Sequence, residues 1–232
     1  MGSYDHYKKS VFECGRWLSG HGYFGTLRGT GGNVSLRVEG QPVVAVTPSR
    51  VSYRELTPED ICIVDFDLKV IEGKFPPSVE TRMHLAVYKA RPDVNAVVHT
   101  HQAKASALSL INQSIPALYD EVVLHTGSVV EVIPYAFSGS PELIENVKAK
   151  LGNRCHCYLL QNHGALSLGA TIENVLLNVE LLEKLAQTYL DALSTGREIT
   201  LLPASSTRLL AEMSKDARNN AAGKNRKLPG TE

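Results

Sequence analysis

The chain has 232 residues, 43% hydrophobic and 21% charged, an ordinary globular balance in a chain long enough to bury one sizeable core. Its 24 Lys and Arg offset its 24 Asp and Glu, so no overall field draws it to nucleic acid or to an anionic membrane. No stretch reaches the roughly 18 apolar residues of a membrane span, the N-terminus has no signal-peptide core, and four cysteines make no disulfide framework, so a reducing cytoplasmic setting is expected.

Residues 4–21 pattern as a helix, with Val11, Trp17 and Leu18 on one side and Gly22 as its stop. Strand-like runs follow at 33–38, 43–48 and 61–66, punctuated by EGQP and FPPS. Residues 78–91 pattern as a helix capped by Ser78 and stopped before Pro92. The strand NAVVHTH and a helix over 103–111 come next; after Pro116 the pattern is mute until a strand at 129–134. Pro141 opens a helix to Leu151, and CHCYLLQNHGALSLG then spells strand, tight turn and strand, with Cys155 and Cys157 expected in the core. Thr171 caps the longest helix, which Gly196 ends, and from Lys215 the chain is polar and weakly patterned. Strands alternating with helices predict one α/β domain over 1–214 and a polar tail over 215–232, frayed unless it docks on a neighbouring subunit.

His99 and His101 end the apolar run of AVVHTHQAK. Side chains at i and i+2 of a strand share a face, so the two imidazoles project together from Cα atoms roughly 6–7 Å apart and can grip one metal ion. Satisfied polar residues at a strand end would look the same. A third imidazole, His163 in LLQNHGALSLG, again ends an apolar strand, and Glu80 lies near the start of the helix leading into the His99 strand. Three imidazoles and a carboxylate at element ends suit Zn²⁺, or another divalent ion such as Mn²⁺ or Co²⁺. Three fixed nitrogens also leave a position for substrate, as catalysis requires. His6, His21, His84, His125 and His156 fit non-ligand roles. The stretch GTGGNVSLR frees backbone N–H groups to cradle an anion, without the lysine of a Walker loop or the spacing of a dinucleotide fingerprint. Thr47, Ser49 and Ser78 add small hydroxyls in turns, which fit a phosphate pocket or plain turn and cap duty.

GTGGNVS, VTPS, PPSVETRMHLAVYKARPDVNAVVHTH, SIPAL and QNHGAL, in this order and spacing, resemble the class II aldolase/adducin-head family from about residue 5 to residue 200. The resemblance implies a three-layer α/β/α sandwich around a central, largely antiparallel sheet, and a homotetramer with active sites between subunits. It implies Zn²⁺ on His99, His101 and His163, with Glu80 ligating the resting metal and then serving as base. It also implies a substrate-phosphate pocket of Gly32, Asn33, Thr47, Ser49 and Ser78. Three departures stand out. Arg50 takes the place of a glycine after VTPS, where it either adds phosphate contacts or reads a carboxylate. Val79 replaces the second of paired serines. Asp120, between Tyr119 and Glu121, stands where the family's aldolases carry an interface tyrosine, and no tyrosine follows Tyr189.

The expected activity is cleavage of a short ketose-1-phosphate to dihydroxyacetone phosphate and an aldehyde through a metal-stabilised enediolate. Glu80 is expected to move the proton and Asp120 to supply an acid from across the subunit boundary. A decarboxylase or sugar-phosphate 4-epimerase on the same metal is the alternative enzyme. An adducin-type interaction module is the alternative class, and the intact His99, His101, His163 and Glu80 set argues against it.

Overall fold

The computed structural model describes residues 2–224. Helix α1 (Asp5–Gly20) leads into strands β1 (Asn33–Arg37), β2 (Val43–Val46), β3 (Cys62–Asp65) and β4 (Val70–Glu72). Then come α2 (Thr81–Ala90), β5 (Ala96–Thr100), α3 (Ala103–Leu110), α4 (Asp120–Thr126), β6 (Glu131–Ile133) and α5 (Pro141–Lys150). The chain continues through β7 (Cys157–Leu160), β8 (Gly164–Gly169), α6 (Ile172–Ser194) and α7 (Ala204–Lys224). The strands form one sheet in the order β4-β3-β2-β1-β5-β8-β7-β6. Every neighbouring pair is antiparallel except β6 and β7.

Strand alternation decides which layer each side chain feeds. In β1, Val34 and Leu36 join Val11, Leu18, Val175 and Val179 of α1 and α6, whereas Ser35 and Arg37 bond to Tyr88 of α2. On the α2 side, Met83, Val87, Leu143 and Val147 of α2 and α5 pack on Val44, Val97 and Leu166. Farther along the opposite face, Leu108, Val122, Leu182 and Leu185 of α3, α4 and α6 close over Cys157, Leu159 and Ala165. The expected three-layer sandwich is the observed one. β5 and β8, covered on both faces, are buried at every position, which is why they spell near-continuous apolar runs.

Ser78 does not open α2. The Ser49 N–H donates to the Pro76 carbonyl at 2.8 Å and the Ser78 N–H to the Thr47 carbonyl at 3.1 Å, pinning the chain extended until Glu80 serves as N-cap. Three elements carried no sequence signal: β4 is a three-residue exposed edge, α4 is short and rich in Val and Thr, and α7 is largely polar. Helix α7 continues across Lys215, where a frayed tail was expected, after docking on α4 through the Ser214 hydroxyl, which donates to the Leu124 carbonyl at 2.7 Å. Residues 225–232 of that tail lie outside the described residues. All four cysteines are buried free thiols.

Candidate active site

β1, β5 and β8 lie side by side at the centre of the sheet, and one end of this trio carries the site. His99 on β5 stands opposite Asn33 of β1 and Leu166 of β8. Its ring is fully buried, with Nδ1 2.9 Å from the Ala165 carbonyl. A carbonyl oxygen only accepts, so Nδ1 carries the N–H of that bond and Nε2 is the ring nitrogen turned to the cluster. His101, one residue past β5, places its Nε2 2.9 Å from that of His99. His163 sits in the turn between β7 and β8, where Asn162 takes a left-handed φ of 55°, a conformation asparagine tolerates. Gly164 follows because nothing larger fits: a Cβ there would lie 2.2 Å from the Thr100 carbonyl oxygen and 3.0 Å from the His101 ring. β8 therefore closes on β5, and one nitrogen from each of the three rings falls within 4.8 Å of the others.

Glu80 completes the cluster from the start of α2. Its Oε2 lies 3.3 Å from His99 Nε2, and its Oε1 lies 3.5 Å from His163 Nε2. The Asn33 amide donates to Oε2 and the Ser138 hydroxyl to Oε1, each at 2.8 Å. Burial alone would raise this carboxyl, but the pull of His99 and His163 and the two donors outweigh it and hold its pKa at about 2. Burial, with the neighbouring rings, depresses His101 and His163 to about 4 each. At neutral pH the His101 and His163 imidazoles are thus neutral beside a carboxylate, the kind of donor set a divalent ion needs. Two nitrogens on a tetrahedral zinc stand roughly 3.3 Å apart at ordinary bond lengths, near the 2.9 Å between His99 and His101. These residues fit a metal.

Three of the expected phosphate residues, Asn33, Thr47 and Ser78, gather beside Glu80. The Val34 N–H donates to Thr47 Oγ1 at 3.2 Å, and Ser78 is tied to Thr47, so Asn33, Thr47 and Ser78 share one buried corner. Gly32 has a φ of 67°, and a Cβ there would meet the Phe24 ring at 2.0 Å. Ser49 is half-buried, and Arg50 is exposed with a φ of 61°, the region glycine favours. The Asn33 amide holds Glu80, and its buried Oδ1 has no hydrogen-bond partner among the described residues. Asp120 is exposed at the start of α4, and among the described residues it makes no hydrogen bond or ion pair with the histidines. His84 is buried on the Ser35 hydroxyl at 2.7 Å. Ser138 escaped sequence reading, because a lone serine 58 positions from Glu80 carries no local signal.

The family profile described as Class II Aldolase and Adducin N-terminal domain matches residues 9–190. The L-fuculose phosphate aldolase of Escherichia coli K12 is 39% identical over 178 residues, covering 77% of this chain and 81% of the relative. The 5-methylthioribulose-1-phosphate/5-deoxyribulose-1-phosphate aldolase of Escherichia coli O45:K1 is 36% identical over 188 residues, 81% of this chain and 86% of the relative. Among solved structures, an L-fuculose 1-phosphate aldolase superposes with a TM-score of 0.83 at 33% identity, covering 93% of this chain and 98% of that one. YgbL from Klebsiella pneumoniae superposes with a TM-score of 0.79 at 28% identity, covering 90% and 100%. The chain therefore belongs to the class II aldolase and adducin N-terminal domain family, as a lyase of the aldolase type.

Proposed function

We propose that the protein cleaves a short ketose-1-phosphate, of the L-fuculose-1-phosphate kind, to dihydroxyacetone phosphate and an aldehyde, with Zn²⁺ held by His99, His101 and His163. The observation that carries this reading is the convergence of three imidazoles with Glu80 facing two of them. Bound there, a divalent ion supplies Lewis-acid polarisation of the substrate's carbonyl and hydroxyl oxygens.

The chain's own groups do the rest. The corner of Asn33, Thr47 and Ser78, with Gly32, Ser49 and Arg50 at its edge, takes the phosphate. In reaching for the anion, the Asn33 amide leaves Glu80 Oε2, which removes one of the donors holding that carboxyl down and brings it closer to a working base. Glu80 accepts the proton of the hydroxyl whose carbon–carbon bond breaks, and returns it to the carbon freed by cleavage. Asp120 serves a neighbouring subunit of a homotetramer as the acid, donating to the aldehyde oxygen on the side remote from the metal. Residues 1–214 act as one domain, in a cytoplasmic setting.

Arg50 favours one rival. A guanidinium at the pocket edge reads a substrate carboxylate as readily as a phosphate, as a decarboxylase or 4-epimerase on the same site would need. The deciding experiment assays a panel of sugar phosphates and sugar acids with Zn²⁺, Mn²⁺ or Co²⁺ added back, beside metal analysis of wild type and the His99→Ala/His101→Ala double variant. Dihydroxyacetone phosphate released from a ketose-1-phosphate, with about one metal per wild-type chain and none in the double variant, supports the proposal. Best turnover of an unphosphorylated sugar acid transfers it to the decarboxylase, and stoichiometric metal in the double variant removes the metal centre.

A further inference from the structure

The loop between β6 and α5 is built to deliver one hydroxyl. Its start is braced on the β7–β8 turn, where the Tyr135 N–H donates to Gln161 Oε1 at 3.0 Å. Its end is fixed by Ser140, which caps α5 by accepting the Leu143 N–H at 3.2 Å. Between them Gly139, at a φ of 75°, lies so close to the 78–80 segment that a Cβ would stand 3.1 Å from the Val79 carbonyl oxygen. The loop is thus pressed onto the residue preceding Glu80, and Ser138 reaches Glu80 Oε1 at 2.8 Å.

We propose that Ser138 is a positioning residue whose hydroxyl sets the plane of the Glu80 carboxylate. The last torsion of a glutamate side chain is broad and has no strong preference of its own. Two donors on opposite oxygens supply the preference: Asn33 takes Oε2 and Ser138 takes Oε1, and each oxygen then faces one imidazole, His99 and His163 respectively. The two donors divide the work. Asn33 belongs to the phosphate corner and is drawn off by substrate, whereas Ser138 lies outside that corner and retains Glu80 throughout. The inference rests on the proposed role of Glu80 as metal ligand and proton carrier.

Ser138→Ala and Ser138→Thr, compared with wild type, test it through zinc affinity by chelator competition, melting of the metal-free protein, and separate kcat and KM values. The loop position is half-buried and the change to alanine removes a single oxygen, so melting should hold. Zinc affinity should fall roughly tenfold or more, the range seen when a ligand's supporting partner is removed. The kcat should fall with it at unchanged KM, and Ser138→Thr should restore both. Wild-type zinc affinity and kcat in Ser138→Ala overturn the inference, as does equal loss in Ser138→Thr. A lowered melt with zinc affinity intact also overturns it, because the hydroxyl would then serve only the loop. Failure of the wider reading is distinguishable: wild type itself would then bind no zinc at its histidines.

Discussion

Gly164→Ala probes the closure of the site with a single methyl group. The new Cβ would lie 2.2 Å from the Thr100 carbonyl oxygen, whereas a comfortable carbon–oxygen contact begins at roughly 3.3 Å. One strand must therefore yield by about 1 Å. The two strands are zipped together from Ala96 opposite Gly169 to Thr100 opposite Ala165, and both are buried on each face. Overpacking in such a setting costs about 1–3 kcal/mol. At roughly 2–4 °C per kcal/mol for a chain of this size, the metal-free protein should melt about 2–12 °C lower. The same Cβ lies 3.0 Å from the His101 ring and 3.3 Å from the His99 ring, and His163 is the adjoining residue. The displacement consequently spreads the three nitrogens. Misplacement on this scale costs roughly 10²-fold in rate, so kcat for the best ketose phosphate should fall by about that factor, and zinc affinity with it. Gly20→Ala is the control, since it ends α1 with nothing within 4 Å of its Cβ and should be neutral or slightly stabilising. A Gly164→Ala protein with wild-type melting and wild-type zinc affinity would refute the close-approach argument.

Acid should destabilise the metal-free protein well above the carboxylate range. His101 and His163 titrate at about 4 in the fold against 6.5 when free, so the unfolded chain binds protons first. Their contribution is complete above pH 6.5 and is lost between there and pH 4, at most about 3 kcal/mol per group and less than additive for a coupled pair. Urea midpoints from pH 7 to pH 4 should decline accordingly, and a flat profile contradicts buried neutral imidazoles. Arg50→Gly should melt about 2–4 °C higher, because a left-handed φ of 61° burdens a non-glycine residue by roughly 1–2 kcal/mol, partly offset by glycine's own entropy. Its KM for the anionic substrate should rise, and an unchanged KM would clear Arg50 from the pocket. Asp120→Asn should lower kcat by roughly 10²-fold with zinc content unchanged. Hybrids with His99→Ala chains should regain activity, and near-normal turnover by Asp120→Asn alone would exclude it.

Much of the fold and the histidine cluster was legible from short windows. HTH at the end of an apolar run puts two rings on one strand face, and QNHG after another places a third ring beside a residue that only glycine can be. Pro141, and Thr171 before a leucine-rich period, marked two helix starts that the structure reproduces, the first with Ser140 as its cap. Legibility failed where tertiary contacts overrode local preference. Ser78 resembles a helix cap but is held extended by the strand-like pairing of 76–78 with 47–49. Helix α4 forms against α6 and α7 although its own composition argues weakly for a helix.

The sequence by itself determined the alternation of strands and helices, the apolar runs that end in His99 and His163, and the residue types able to hold a metal. Only the tertiary structure decided that the Asn33 amide and the Ser138 hydroxyl close on Glu80, and that Asp120 is left exposed at the start of α4. The physical reason is range. Propensity and hydrophobic period are properties of a few consecutive residues, whereas Glu80 takes its donors from 47 and 58 positions away. Those partners are chosen by which strand and loop ends the packed sheet brings to one edge, and no local window contains both members of either pair.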